Sequence, residues 1–250
     1  MIHTIEEKDL PTAWAKAFIK CYNAPRGNIL TMIVKFDATA DEFWDKDIIK
    51  ILNLNLKRTK NFSIETVRNT IFPEYLWQTS NNDRETLYAR YLKIWPKLKK
   101  TQQNRFGSYF KRLIAFGDVK NQKNQLEEII KTWNQGTHRK SALQATIFNP
   151  YEDISKAPRR GFPCLQQVVF VPEGSNGEKG LTIVGFYASQ DCFRKAFGNY
   201  WGLYSLGKFV AEAMGIPFKS VCCIASNYVL GSTKKNLKEL YNAIVNIIKE

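Results

Sequence analysis

Histidine is nearly absent from this chain: His3 and His138 are the only imidazoles in 250 residues. So few imidazoles support neither a zinc site nor a Ser-His-Asp triad. Cysteine is scarce too. Cys21, Cys164, Cys192, Cys222 and Cys223 are odd in number and form no CxxC pair, which reads as a reducing, cytoplasmic compartment. No apolar run approaches membrane-spanning length, and the first residues are acidic and polar, unlike a signal peptide. Acidic residues are outnumbered, 23 Asp and Glu against 37 Lys and Arg, leaving a net charge of +14. That balance implies anionic company, whether nucleotide phosphates, nucleic acid or an acidic protein, or else a solvated basic face. These absences leave a soluble intracellular protein with no membrane partner.

What is present suffices for a large core. Hydrophobic residues make up 44% of the chain and aromatics 13%, which argues against disorder. Helical spacing is read at Asp9 to Tyr22, Asp41 to Leu52, Asn61 to Trp77, residues 83–100 and Asn124 to Trp133, with one early strand at Ile29 to Phe36. Ser63-Ile-Glu-Thr reads as a capping box. From Ser141 the texture changes. Ala142 to Phe148, Leu165 to Val171, Gly180 to Tyr187 and Ser220 to Ala225 read as strands, with a glycine-rich hairpin loop from Pro172 to Gly180. Asn199 to Met214 suits a buried helix, and Lys234 to Lys249 is a closing amphipathic helix. With no repeat and no clear linker, residues 1–250 are expected to form a single α+β domain, mainly helical over 1–140 and sheet-rich over 141–250.

The chemistry centres on Gly161-Phe-Pro-Cys164-Leu-Gln-Gln-Val-Val-Phe-Val171. A cysteine follows a proline turn and opens a buried strand, so a rigid backbone can hold its thiol at the mouth of a cavity. Nucleophilic attack needs the thiolate, which nearby positive charge favours; Arg159 and Arg160 precede it in sequence. The bland alternative for Cys164 is a small buried hydrophobe.

Downstream order sharpens the reading. After the Cys164 strand come a hairpin, Phe186-Tyr-Ala-Ser-Gln-Asp191, and then Asn199, eight residues beyond Asp191, while Phe170 stands six after Cys164. This arrangement resembles thymidylate synthase, in the superfamily that includes dCMP hydroxymethylase, where a Pro-Cys strand precedes a Ser-x-Asp motif and an asparagine opens the core helix. Upstream, Glu74-Tyr-Leu-Trp77, Pro25-Arg26-Gly27, Gly107-Ser-Tyr109 and Asn124-Gln-Leu126 resemble family segments, and Thr137-His-Arg139-Lys140 falls where the family carries arginines.

The resemblance implies a central mixed or antiparallel sheet with helices packed on one side, dimerising through the sheet face. It implies an enzyme modifying C5 of a uracil-type nucleotide, Cys164 adding to C6, with a one-carbon transfer from a reduced folate (5,10-methylenetetrahydrofolate). Glu74 would handle protons, and Asp191 would meet the folate or orient the closing helix. Asn199 would read the pyrimidine edge. Ser189, Arg26 and Arg139 would take phosphate, and Tyr109 and Tyr228 would complete substrate binding. No metal is implied. Read from the residues alone, Asp191 and Asn199 are equally helix caps, Glu74 a solvated helix residue, and Trp77, Tyr88, Tyr91 and Trp95 core or dimer contacts.

The sequence also departs from the family. Ala188 stands where a phosphate-binding arginine is expected, Tyr187 replaces a glutamine and Leu165 a histidine. Tyr228-Val-Leu230 falls where a His-x-Tyr binds the sugar, and the family's long folate-closing C-terminal segment has no counterpart before Glu250. The substrate is therefore expected to be non-standard. The rival expectation is a non-catalytic pyrimidine-nucleotide or nucleic-acid sensor derived from the same fold.

Overall fold

The computed structural model describes residues 2–38, 44–102, 104–118, 120–136, 139–154, 156, 162–174 and 177–249. Strand β1 (His3–Glu7) leads into helix α1 (Leu10–Asn23), which begins where Asp9 accepts the Thr12 N–H at 2.9 Å. A turn at Pro25–Gly27 then gives β2 (Asn28–Asp37). Helices α2 (Lys46–Arg58), α3 (Ile64–Ile71), α4 (Glu74–Gln78), α5 (Arg84–Leu98), α6 (Tyr109–Ile114) and α7 (Gln125–Asn134) follow. The remainder is β3 (Gln144–Thr146), α8 (Pro150–Asp153), β4 (Leu165–Glu173), β5 (Gly180–Tyr187), the short β6 (Gln190–Asp191), α9 (Phe197–Met214), β7 (Phe218–Val229) and α10 (Lys234–Lys249).

The strands form one mixed seven-stranded sheet in the order β1-β2-β7-β5-β4-β3, with β6 paired to the end of β7. Two pairings along the main path, β1 with β2 and β5 with β7, are parallel, and the others are antiparallel. The fold is therefore α+β, and its sheet draws strands from both halves of the chain. Sequence reading missed β1 because its exposed Thr4 and Glu6 alternate with half-buried neighbours. A polar edge strand carries no apolar run to detect.

Period-2 alternation divides the sheet into two faces. On one, the cross-strand row Phe36, Val221, Ile183 and Phe170 is sealed, as is Val34, Cys223 and Val168. Helices α1 and α9 pack there. The other face presents Ile33, Ile224, Val184 and Val169 half-buried, with Phe186 and Val171 each 36% exposed. No helix among the described residues is long and apolar enough to cross a membrane.

Helix α9 is the central rod, buried along nearly its whole length. Gly198 and Gly202 lie one helical turn apart on the side facing α3. A Cβ on Gly198 would stand 2.6 Å from Val67 Cβ, and one on Gly202 2.7 Å from Ile71 Cβ. Only hydrogen at these positions lets the two helices come this close, which brings Thr66, Val67 and Thr70 up to the segment before β4. The pattern expected from Asn61 to Trp77 breaks into α3 and α4 at Phe72-Pro73, since proline cannot donate to the helix before it. Asp45 starts α2 by accepting the Asp47 and Ile48 N–H groups, and the beginning of the helix expected from Asp41 lies outside the described residues.

Candidate functional site

A cavity of about 350 Å³ opens between α3, the start of α6, the start of β4 and the turn after β6. Cys164 lies at its wall. The preceding Phe162 is clamped by Tyr109, with ring centroids 5.1 Å apart, and by the Arg112 guanidinium 4.9 Å above its ring. Gly107 makes this possible: at φ +140° it lies so close that a Cβ would meet Phe162 at 2.5 Å. The Cys164 N–H donates to the Tyr109 hydroxyl at 3.4 Å, and its carbonyl accepts from Ala188 N–H at 3.0 Å. Just beyond, the β4–β5 register shifts between Leu165 and Gln167, a local irregularity of the kind that re-aims side chains at sites.

Asp191 accepts the Arg194 backbone N–H at 2.7 Å and the Arg194 Nε–H at 2.6 Å, so it starts the turn Cys192–Ala196 as a cap. That turn delivers Lys195 into the cavity. Asn199, in the first turn of α9, is 5% exposed and its side chain hydrogen-bonds to no described residue, leaving its amide at the cavity wall. Ser189 Oγ accepts a long bond from Asn227 Nδ2, 3.4 Å. Gln190 is 1% exposed; its Oε1 accepts from the Tyr200 hydroxyl at 3.1 Å, while its Nε2 has no partner.

Electrostatics follow from burial. Burial raises the Cys164 thiol pKa above its ordinary value, Asp191 raises it further and Lys195 opposes them. The Lys195 ammonium is pulled down by burial and by Arg194, with Asp191 and Cys164 acting the other way. Burial also pushes the Tyr109 phenol up. The thiol is therefore protonated at neutral pH in the free protein.

The structure brings Tyr109, Cys164, Ser189, Asp191 and Asn199 together and leaves the other candidates elsewhere. Glu74 lines a separate cleft, where it accepts from Arg68 at 2.6 Å. Arg68 also donates to Ser205 and lies 4.5 Å over the Trp201 ring, so Glu74 answers a structural cation. Tyr228 is wholly buried, its hydroxyl 3.3 Å from that of Tyr200, and it does not reach the cavity. Arg26 is exposed at φ +54° in the turn before β2, and Arg139 is exposed before the turn Lys140–Ala142. His138, Arg159 and Arg160 lie outside the described residues.

Sequence reading missed Lys195, Arg194, Gln190 and the α3 side of the wall. One signal was available: Arg194-Lys195 interrupts an otherwise apolar stretch between Asp191 and Asn199. Among the described residues no group of three or more His, Cys, Asp or Glu side chains is placed to hold a metal ion. No family model matches the chain, and no curated protein matches it.

Proposed function

We propose that the protein is a thymidylate synthase-like enzyme in which Cys164 adds to C6 of a uracil-type nucleotide and so activates C5. What supports the reading is one convergence. Five residues singled out by the resemblance, Cys164 among them and scattered from position 109 to position 199, line a single cavity. The Asn199 amide, bonded to no described residue, offers one donor face and one acceptor face, the pattern that separates uracil from cytosine.

The chemistry balances without a further reactant. The thiol gives up its proton and Sγ bonds to C6. The C5=C6 electron pair moves to C5 and O4 as an enolate, and C5 takes a proton from water, for a net addition of S–H across the double bond. Reversal, with loss of the other C5 hydrogen, exchanges that hydrogen with solvent. The resemblance also implies a reduced folate. Asp191, the residue expected to meet it, has both oxygens held by Arg194, and the cavity is at the small end of the ~300–1,000 Å³ range of ligand sites. The residues present do not fit a folate beside a nucleotide, and the proposed chemistry stops at the adduct and exchange at C5.

The same cavity size favours a mononucleotide over a nucleic-acid polymer as the anionic partner of a +14 chain. A homodimer belongs to this reading, with the half-exposed sheet face around Val184, Phe186 and Ile224 covered by a second copy; sedimentation of the full chain as a monomer counts against it. A reducing, cytoplasmic setting fits the five free thiols.

The test is mass spectrometry of the intact protein with dUMP, 5-fluoro-dUMP and dCMP, with hydrogen exchange at C5 followed in parallel. The expected result is an adduct mapping to Cys164 with the uracil ligands alone, lost in Cys164→Ser. The raised thiol pKa favours a second reading, a sensor that only binds. Equal reversible binding by wild type and Cys164→Ser, with no adduct and no exchange, would replace the enzyme with that sensor.

A further inference from the structure

Counting charge around the cavity leaves one group unanswered. Asp191 is the only carboxylate among the described residues of the wall, and Arg194 cancels it through two hydrogen bonds and an ion pair. Cys164 stays neutral because burial and Asp191 both disfavour its thiolate. Lys195 remains. Its Nζ lies 4.9 Å over the Phe62 ring, whose electron-rich face holds a cation in place. It makes no hydrogen bond or ion pair with any described residue.

The hydroxyls of Thr66, Thr70 and Ser189 share the wall with Lys195. A half-buried cation is held at a cost until an oxygen acceptor reaches it, and the one carboxylate among the described residues of the wall is already taken.

We propose that Lys195 is the anion-binding centre of this cavity and pairs with a phosphate group of the ligand. That the phosphate is a nucleotide's rests on the function proposed above; the anion site itself does not.

The experiment is calorimetric titration of the full chain with dUMP, deoxyuridine and inorganic phosphate, on wild type, Lys195→Met and Lys195→Arg. Lys195→Met is expected to weaken dUMP and inorganic phosphate by about 10- to 100-fold, the scale of a charged hydrogen bond. Deoxyuridine affinity stays unchanged, and Lys195→Arg keeps most of the phosphate affinity. Unchanged dUMP and phosphate binding in Lys195→Met overturns the proposal. So does an equal loss for dUMP and deoxyuridine, or a wild type that binds neither phosphate-bearing probe. The two readings fail separately. Lys195-dependent phosphate binding with no gain from the uracil nucleoside sinks the pyrimidine reading and keeps the anion site. Equal binding of dUMP and deoxyuridine by wild type does the reverse.

Discussion

Arg112 and Lys195 are both cations drawn below the surface, and the fold treats them in opposite ways. Arg112, on α6 and 8% exposed, donates to the Ile147 carbonyl at 2.6 Å, to Asp153 at 2.9 Å and to Glu152 at 2.9 Å. Asp153 in turn accepts the Asn149 N–H at 2.8 Å. Helix α6, helix α8 and the chain leaving β3 are thus bracketed by one guanidinium, whose planar fork suits several acceptors at once. Lys195 has the Phe62 ring and no acceptor among the described residues. A buried charge answered from within holds the fold together and is closed to ligands. One left open costs the free protein something, which a ligand recovers.

Removing the two cations should therefore have opposite consequences, and this is the largest effect expected. Arg112→Met takes the guanidinium away from the fully buried Asp153 side chain and should lower unfolding free energy by about 3–5 kcal/mol, the usual result of breaking a buried pair from one side. Lys195→Met should change stability by no more than about 0.5 kcal/mol, or raise it by removing a desolvated charge. Urea midpoints of the two variants check this; similar losses would erase the distinction.

Next comes the seam between α3 and α9. Gly198→Ala places a methyl 2.6 Å from Val67 Cβ and 2.7 Å from the Ile64 carbonyl oxygen. Neither atom is the far end of a flexible side chain, so the helices must part, at about 1–3 kcal/mol. Because Thr66 and Thr70 ride on α3 at the cavity wall, the variant should lose ligand affinity as well as stability. Arg112 is on a different helix, yet its guanidinium also clamps Phe162 at the cavity wall, so its variant should lose more stability than Gly198→Ala for a comparable loss of affinity. Melting curves beside dUMP titrations separate the two. A Gly198→Ala protein that binds normally would mean that α3 does not shape the site.

How much of this was legible in the sequence follows the same division. The sealed face of the sheet was readable from the apolar runs at Leu165 to Val171 and Gly180 to Tyr187, because burial on one or both sides leaves a compositional trace. Polar β1 left none. The caps at Asp9 and Ser63 were legible since each is local, a side chain answering an N–H three residues on. Cys164 stood out as a thiol between a proline turn and a buried strand, and Asp191 and Asn199 only through the resemblance. Lys195 did not, because a lysine after an arginine looks like any solvated pair until the turn that Asp191 caps carries it inward. Glu74 shows the converse. Its motif was visible, but pairing with Arg68 depends on how α3 and α4 meet across Phe72-Pro73, which no local pattern encodes.

Glu74 also gives the smallest effect and the finest test of the comparison. Its side chain is 24% exposed and shares Arg68 with Ser205. Glu74→Gln keeps an oxygen acceptor toward Arg68 and removes only the charge, so the loss should be about 1 kcal/mol or less, as for partly solvated pairs. It should leave both the Cys164 adduct and dUMP affinity untouched, since its cleft does not share a wall with Cys164. Asn199→Ala is the matched opposite. It removes an amide that no described residue uses, so stability should hold while uracil-nucleotide affinity falls by roughly 2- to 10-fold, one neutral hydrogen bond. If Glu74→Gln instead abolished the adduct in a protein that still folds and still binds dUMP, a paired side chain in another cleft would be part of the chemistry. Open groups would then mark only where the ligand sits, and the proton transfers of the reaction would have to be sought among residues that the fold already satisfies.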